Sequence, residues 1–371
     1  MRIGFDAKRA FYNQSGLGNY SRSTIELLTK FHPTHDYFLF SPKLKNNIFK
    51  NRPKNTKAIT PSGFIDSNLS SMWRTFRMAR DIKKSNIDLF HGLSNELPQN
   101  LHKKNVKSIV TIHDLIFIRY PELYKPADRA IYHQKFKHAA QIADKVIAIS
   151  EQTKSDIINF LNIDESKISV VYQGCNPIFH QDPGNKQKIE VAGKYNLPQE
   201  YMLNIGTVEK RKNTLAVVKA LKENKIDIPF IIIGRQTDYQ NEIEDYIKRN
   251  NMESQVKIFN NVPFTDFPAI YRQASLFIYP SIFEGFGIPI IEALHSNIPV
   301  ITTRGGCFSE AGGFSARYTD PNDTDEIAEA ITDILSDEKV RGRMTHDGKN
   351  YVQKFSEERI SQNLMNIYHQ L

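Results

Sequence analysis

Short runs of apolar residues alternate with amphipathic stretches along this chain, and this alternation restricts its fold more than any other feature. The run Val146–Ile149 is apolar at every position, which is typical of a strand covered on both faces of a parallel sheet. In the first half we predict strands at Arg2–Asp6, Tyr37–Phe40, Asp88–Phe90, Lys107–Ile112 and Val146–Ile149, and helices at Gly18–Phe31 and Pro126–Ile142.

The second half repeats the alternation. We predict strands at Tyr201–Ile205, Pro229–Ile233, Val256–Phe259, Leu276–Tyr279 and Pro299–Thr302, and helices at Asn213–Asn224, Tyr239–Asn250, Phe267–Ala274 and Pro289–His295. From Asp323 to the end the pattern is helical, in about three segments. Between the halves, Asn176–Pro198 is rich in proline and glycine and is predicted to be a linker. The chain is therefore predicted to form two doubly wound α/β domains, 1–180 and 199–355.

Composition excludes several classes of protein. The 371 residues contain no run of about 18 apolar residues, which a membrane-spanning helix would require. The first residues lack the apolar stretch of a secretory signal. Cys175 and Cys307 are the only cysteines, which argues against a disulfide scaffold and fits a reducing cytoplasm. The histidines show no metal-ligand spacing and there is no Asp-x-Asp string, so we expect no bound metal.

Positive charge is concentrated in the first half. The whole chain carries a net charge of +8. Residues 1–185 contain 27 Lys and Arg against 16 Asp and Glu, a net charge of +11, whereas residues 186–371 contain 22 against 25, a net charge of −3. Such a field favours an anionic partner, although a solvated basic surface explains it equally well. As a helix, the stretch Met72–Lys84 would place Trp73 and Phe76 near one apolar face and arginines, Arg74, Arg77 and Arg80 among them, around the other. It is expected either to pack on the sheet or to contact an anionic membrane surface through these arginines.

The string YPSIFEGFGIPIIEAL, which begins at residue 279, is the most informative stretch of the sequence. It leaves a buried strand and enters a helix at Pro289, where the missing N–H of proline costs nothing. Gly285 and Gly287 would let a ligand approach the backbone closely. Glu284 precedes the helix and Glu292 lies within it, so both carboxylates could accept hydrogen bonds from sugar hydroxyls beside an anion-binding helix N-terminus.

This string resembles the Glu-x7-Glu signature of retaining glycosyltransferases of family 4, which have the GT-B fold. The resemblance covers nearly the whole chain and is nearest to bacterial mannosyltransferases. It implies two facing Rossmann-like domains with a cleft between them, acceptor side first and nucleotide side second, and a last helix, 356–371, that packs back on the first domain. It assigns Glu284 to the hydroxyls of the donor sugar, Glu292 to the ribose, and Gly285, Phe286 and Gly287 to donor binding.

A basic loop, GTVEKRKN, follows the first predicted strand of the second half. It resembles the loop that, in the same family, contacts the diphosphate of the donor. The resemblance assigns this contact to Lys212, assisted by Arg211, with Gly206 at the turn. Two cations beside a glycine turn suit a pyrophosphate, although a solvated basic run is the alternative. Thr207 stands where some family members have an arginine, so one phosphate cation is missing here.

Three further loops match the family. The loop after the first strand, SGLGNYSR, resembles the one in which Gly16 and Gly18 line the cleft against the donor phosphates, although a tight turn also explains both glycines. The string TIHDL resembles the family's histidine–aspartate pair. The resemblance implies that His113 contacts the donor sugar and that Asp114 holds the loop or contacts the acceptor. The string NNVP aligns with the loop that borders the nucleotide base, which makes Val262 a donor-binding residue.

The predicted function is retaining transfer of a hexosyl group from a nucleotide diphosphate sugar to a hydroxyl of a glycan or lipid-linked saccharide, in bacterial surface polysaccharide biosynthesis. Mannosyl is the favoured group and GDP-mannose the first donor. The nucleotide sugar is a substrate, so we expect no cofactor, and we expect transfer to be metal-independent. The enzyme is expected in the cytoplasm, with peripheral contact to the inner membrane face. The alternatives are a sugar-nucleotide epimerase-like GT-B enzyme and a nucleic-acid-binding protein, the latter disfavoured because the basic residues match no RNA-binding signature.

Overall fold

The chain divides into two compact units, each described here by itself. The computed structural model describes residues 1–45, 47–62 and 70–371. The first unit comprises Met1–Gln173 together with Ser356–Leu371, and the second comprises Gly174–Phe355. The unit boundary therefore lies a few residues before 180, and the last helix belongs to the first unit. Within the described ranges, every helix is too short or too polar to traverse a lipid bilayer.

The first unit is built on a seven-stranded parallel sheet. Its strands are β1 Arg2–Asp6, β2 Asp36–Phe40, β3 Thr56–Ile59, β4 Leu89–Gly92, β5 Lys107–Ile112, β6 Lys145–Ala148 and β7 Ile168–Val170. Their order is β3-β2-β1-β4-β5-β6-β7. The α-helices described in this unit are Lys8–Tyr12, Gly16–Phe31, Ser70–Met72, Met78–Lys84, Ile116–Arg119, Pro126–Ile142, Glu151–Leu161 and Glu357–His369, with a π-helical stretch at Trp73–Arg77.

The second unit has a six-stranded parallel sheet. Its strands are β8 Met202–Ile205, β9 Phe230–Ile233, β10 Val256–Phe259, β11 Leu276–Tyr279, β12 Val300–Thr303 and β13 Arg317–Thr319, in the order β10-β9-β8-β11-β12-β13. The α-helices are Asn185–Tyr195, Thr214–Glu223, Tyr239–Arg249, Phe267–Gln273, Ile288–His295, Gly306–Gly312, Thr324–Ser336 and Glu338–Tyr351.

Alternate residues of the strands pack on opposite faces of the first sheet, which explains why the strands are apolar throughout. In β2, Phe38 and Phe40 lie in one hydrophobic cluster and Tyr37 and Leu39 in the other. The last helix, Glu357–His369, contributes Leu364 and Tyr368 to the second of these clusters. The prediction of doubly wound parallel sheets is confirmed, since both faces are covered.

Strand order reverses once in each sheet, and the reversal determines where a ligand can bind. In the second unit the sheet extends from β8 in one direction through β9 and in the other through β11. After its loop, the chain therefore leaves β8 and β11 in opposite directions. In open α/β sheets the crevice at such a switch point is the usual ligand site. The basic loop follows β8 and the Glu284 loop follows β11, so both border this crevice.

The prediction that Asn176–Pro198 is a linker is wrong. The second unit begins at Gly174, and Asn185–Tyr195 forms a helix that packs on Phe267–Gln273. This helix buries Val191 as its single fully covered apolar residue, which is too weak a pattern to see in the sequence.

The stretch Met72–Lys84 packs only in part as its periodicity predicts. Trp73 is fully buried, but Phe76, predicted on the same face, is 51% exposed. The π-helical turn at Trp73–Arg77 changes the helical register, so the expected apolar stripe is broken. Arg74, predicted on the basic face, is buried instead.

The guanidinium of Arg74 bridges two carboxylates. It donates to Asp6 Oδ2 at 2.7 Å and to Glu96 Oε2 at 2.7 Å. Arg74 is therefore an internal ion-pair residue, and the expectation that it contacts a membrane is wrong.

Candidate active site

The basic loop and the Glu284 loop meet at the switch point of the second sheet. After β8 the chain passes Gly206 and forms a short 3₁₀ turn at Lys210–Lys212. After β11, the backbone N–H of Ile282 donates to the carbonyl oxygen of Arg211 at 2.8 Å. This bond ties the two loops together, so their side chains share one small volume.

Four donors converge on one oxygen of Glu284. Lys212 Nζ bonds to Oε1 of Glu284, and Arg211 Nη1 lies 2.7 Å from the same oxygen. The hydroxyls of Ser281 and Tyr279 donate to it at 2.6 and 3.1 Å. Lys212 Nζ also donates to the Tyr279 hydroxyl at 2.5 Å. All of these bonds are to Oε1 of Glu284 and none is to Oε2, so the carboxylate is anchored through one of its oxygens.

The electrostatics of this group favour an ionised carboxylate. Burial alone would raise the pKa of Glu284, but Lys212 and then Arg211 outweigh it and lower the pKa to about 2. Burial would lower the pKa of Arg211, and Glu284 with Glu209 raises it instead. Burial lowers the pKa of Lys212, and Glu284 opposes that shift. At neutral pH an ionised Glu284 therefore faces Lys212 and Arg211 where the central strands β8 and β11 end.

Glu292 has the opposite environment. It lies in the helix Ile288–His295 and is 8% exposed. Its Oε2 accepts a bond from the hydroxyl of Tyr271 at 2.9 Å. Burial raises the pKa of Glu292 to about 7, which Tyr271 only partly opposes. The two glutamates of the motif therefore differ in charge. Glu284 is ionised at neutral pH, whereas Glu292 exchanges its proton near neutral pH.

The residues between the two glutamates shape the turn into the helix. Gly287, which precedes the helix, has φ of +120°, a region that side chains rarely adopt, so the turn requires glycine there. Phe286 is buried, and its ring packs edge-on against Phe355 at 5.5 Å. Gly285 joins Glu284 to this turn. Val262 is half-buried in the loop after β10.

In the first unit, His113 is a buried and neutral imidazole. Its Nε2 bonds to the carbonyl oxygen of Leu93 at 2.9 Å, which assigns the proton to Nε2, and its backbone N–H donates to Asn95 Oδ1 at 2.8 Å. The ring of Tyr20 stands perpendicular to it at 4.5 Å. Burial lowers the pKa of His113 to about 4. With its Nε2 proton engaged, Nδ1 is left as an acceptor.

A buried polar chain that sequence reasoning missed runs behind His113. The hydroxyl of Tyr368, on the last helix, bonds to His91 Nδ1 at 2.6 Å, and His91 Nε2 bonds to Thr111 Oγ1 at 2.8 Å. Tyr20, whose ring contacts His113, bonds to the same Thr111 oxygen at 3.0 Å. Thr111, a polar residue inside a predicted strand, was the available signal, but its partners His91 and Tyr20 come from other segments of the chain.

The remaining predicted residues of the first unit have local structural roles. A Cβ on Gly18 would lie 1.9 Å from the carbonyl oxygen of Asn13, so the chain requires glycine there for close approach. Gly16 has open space around its Cα. Asp114 Oδ1 accepts the backbone N–H of Ile116 at 3.2 Å, which agrees with a residue that holds its loop.

Comparison with known proteins identifies the family. The family model described as Glycosyltransferase Family 4 matches residues 15–178, and that of the glycosyl transferases group 1 matches residues 185–351. O-antigen chain mannosyltransferase B of Escherichia coli is 30% identical over 287 residues, which cover 76% of this chain and 74% of that protein. O-antigen chain mannosyltransferase RfbU of Salmonella typhimurium is 29% identical over 225 residues, covering 61% of this chain and 60% of that protein.

Solved structures share the fold over the whole chain. A glycosyltransferase from Rickettsia africae superposes with a TM-score of 0.78 at 20% identity, covering 100% of this chain and 98% of that one. Anabaena HepE, solved in complex with UDP and glucose, superposes with a TM-score of 0.76 at 17% identity, and the match covers both chains completely. The chain therefore belongs to the GT-B glycosyltransferases, with a Family 4 domain followed by a group 1 domain.

Proposed function

We propose that this glycosyltransferase transfers a mannosyl group, with GDP-mannose as the donor, to a hydroxyl of a glycan or lipid-linked saccharide in bacterial surface polysaccharide biosynthesis. The two relatives described above are O-antigen chain mannosyltransferases, which supports this choice of sugar and process. The observation that carries the proposal is the convergence of Lys212 and Arg211 on Glu284 at the switch point of the second sheet.

In this proposal the two cations bind the diphosphate of the donor. A diphosphate is a dianion or trianion, and a lysine and an arginine side by side match both its charge and its geometry. Glu284 already holds both cations through Oε1, so the loop is pre-organised before the donor arrives. Its Oε2 would accept hydrogen bonds from hydroxyls of the sugar, and Glu292 would accept them from the ribose.

The proposed reaction retains the anomeric configuration. The bond between the anomeric carbon and the diphosphate oxygen breaks, and the acceptor oxygen attaches on the same face of the sugar. The proton of the acceptor hydroxyl passes to the departing phosphate oxygen. Lys212 and Arg211 stabilise the negative charge that develops on this leaving group, so catalysis rests on positioning and electrostatics. Because side chains supply this positive charge, we propose that transfer does not require a divalent metal ion.

The first unit supplies the other proposed contacts. His113, neutral and with Nδ1 as an acceptor, takes a hydrogen bond from a hydroxyl of the hexose. Asp114 holds its loop on the acceptor side, and Gly16 and Gly18 form a phosphate-facing turn. In the second unit, Val262 borders the base.

A donor and acceptor screen tests the proposal. Purified protein is incubated with GDP-mannose, GDP-fucose, UDP-glucose or UDP-galactose, with and without lipid-linked and soluble saccharides, and release of nucleoside diphosphate is measured. We expect release from GDP-mannose that increases strongly with acceptor, persists in excess chelator, and gives an α-linked product by NMR. Acceptor-independent turnover would instead support an epimerase-like enzyme, and a β-linked product would refute retention.

We also propose a cytoplasmic enzyme that contacts the inner membrane face peripherally. Met72 and Phe76 are 42% and 51% exposed, and Arg77 and Arg80 lie on the same helical stretch. Exposed apolar residues among cations are typical of helices that lie on anionic lipid. We expect binding to anionic vesicles that weakens with salt and falls in Phe76→Ser. Equal binding to neutral vesicles would refute it.

A further inference from the structure

A cysteine and two histidines come together in the second unit, away from the Lys212–Glu284 group. Cys175 is buried, His295 is partly buried at the end of the helix Ile288–His295, and His180 is exposed. One ligand atom from each of the three lies within 4.8 Å of the other two. Sequence spacing did not reveal this group because the third member comes from a distant part of the chain.

The spacing of these atoms approaches that of a tetrahedral site. Cys175 Sγ and His180 Nε2 are 3.7 Å apart. Zinc bonds of ~2.3 Å to sulfur and ~2.0 Å to nitrogen, at a tetrahedral angle, separate the two ligand atoms by ~3.5 Å. The imidazole rings of His180 and His295 face each other at 4.2 Å, tilted by 34°.

An unpartnered buried atom supports a ligand at this position. Nε2 of His295 is buried and has no hydrogen-bond partner within the described ranges, which is costly for a polar atom. The backbone that carries both histidines is also held in place. Arg272 Nη2 donates to the carbonyl oxygens of Phe179 and His295, each at 3.3 Å, and so pins the segment before His180 to the end of the helix.

We propose that Cys175, His180 and His295 bind a divalent transition metal of the zinc class, with water as a fourth ligand. Binding releases the thiol proton of Cys175 to solvent, and the thiolate and two neutral imidazoles donate electron pairs to the ion. One thiolate with two imidazoles selects zinc or cobalt over magnesium and calcium, which prefer oxygen ligands.

The ion has a structural role, separate from transfer. It joins the chain at the start of the second unit to the helix that carries Glu292 one turn before His295. The Cys175 side chain also lies within electrostatic reach of Tyr271, the hydrogen-bond partner of Glu292. The metal therefore holds the helix Ile288–His295, which carries Glu292, without contacting the groups proposed to react.

Cobalt binding tests the site without reference to activity. The chelator-treated full-length protein is titrated with Co²⁺, and the cobalt–thiolate charge-transfer band and the tetrahedral d–d bands are recorded. We expect both, with a stoichiometry of one and displacement by Zn²⁺. Cys175→Ser should abolish the charge-transfer band, whereas Cys307→Ser, which changes the other buried cysteine, should keep it.

The exposed residue provides a variant that keeps the fold. His180→Ala should unfold at the same temperature as wild type without metal, and should bind Co²⁺ ~100-fold or more weakly, since even outer partners of metal sites contribute ~10- to 100-fold. Zn²⁺ should raise the melting temperature of wild type and not of this variant. Absence of a charge-transfer band in wild type, or its persistence in Cys175→Ser, would overturn the proposal whatever the protein transfers.

Discussion

Replacing Lys212 with alanine should reduce the rate of transfer while leaving the protein folded. The ammonium group bonds to Glu284 and to the Tyr279 hydroxyl, and in the proposed reaction it also holds the departing diphosphate. The substitution removes one of the two cations that contact Glu284 and that are proposed to hold the diphosphate. Arg211 is the cation of this pair that remains.

The structure sets the size of both effects. Lys212 and Arg211 hold the pKa of Glu284 at about 2 instead of the ordinary 4.5, a difference of ~3 kcal/mol of stability. This contribution is present above pH 4.5 and is lost as the pH falls through 2, so it is complete at neutral pH. Lys212 makes the larger favourable contribution, so its loss should cost on the order of 2 kcal/mol of stability. Losing a preorganised contact to developing charge should cost a further ~2–4 kcal/mol of transition-state stabilisation, or ~30- to 1,000-fold in kcat/KM.

The assay compares two neighbouring lysines. Lys210 lies in the same 3₁₀ turn but is exposed, so Lys210→Ala removes the same charge from the surface. We expect near-normal kcat/KM for that control and the stated loss for Lys212→Ala, with melting curves that show both variants folded. Equal activity of the two variants would refute the assignment of Lys212 to the diphosphate.

Other variants separate binding, chemistry and stability. Glu284→Gln frees the two cations, so nucleoside diphosphate should bind at least as tightly by calorimetry while kcat falls ~100-fold; weaker binding would contradict this. Glu292 has a folded pKa of about 7, above its ordinary 4.5, so wild type loses stability as the pH rises through 7. Above pH 7, Glu292→Gln should therefore be more stable than wild type by up to ~3 kcal/mol, and below pH 4.5 the two proteins should be equally stable. The variant should also bind nucleotide more weakly than wild type. Tyr368→Phe should cost ~1 kcal/mol in denaturant unfolding, since one buried hydrogen bond is lost. Arg74→Met should cost ~3–5 kcal/mol, because buried Asp6 loses its ion pair with Arg74 and Glu96 keeps only its longer ion pair with Lys135. Lys83→Ala, on the surface of the neighbouring helix, should cost almost nothing.

The fold could be predicted because its strands are buried on both faces. A hydrophobic run such as Leu276–Tyr279 is recognisable without knowledge of its neighbours, and the structure places β11 at these same residues. Edge strands are harder to predict, because they are short and half-exposed. Thr56–Ile59 and Arg317–Thr319 lie at sheet edges, contain polar residues, and were not predicted.

The candidate site could be predicted only as far as local motifs reach. The motif placed Glu284 in a loop and Glu292 in a helix, and both positions are confirmed. The contacts that decide their chemistry come from other segments: a 3₁₀ turn that contains Lys212 and Arg211, and a helix that contains Tyr271. Neither the hydroxyl of Tyr271 nor the meeting of two histidines with Cys175 follows from any spacing, because folding brings these residues together across distant segments.

The opposite charge states of the two glutamates follow from this difference in partners. Both carboxylates are buried, and burial by itself would raise the pKa of each. Glu284 meets two cations and stays ionised, so it can hold a cationic loop in place and still offer Oε2 to a hydroxyl. Glu292 meets a neutral phenol, so its charge is costly until a ligand supplies more donors. Two ribose hydroxyls would supply them, and binding of the nucleotide would then favour the ionised form of Glu292. In the proposed function, the motif thus combines a carboxylate that is ionised beside the cations of the diphosphate with one whose charge depends on the nucleotide, although the sequence gives both as the same amino acid.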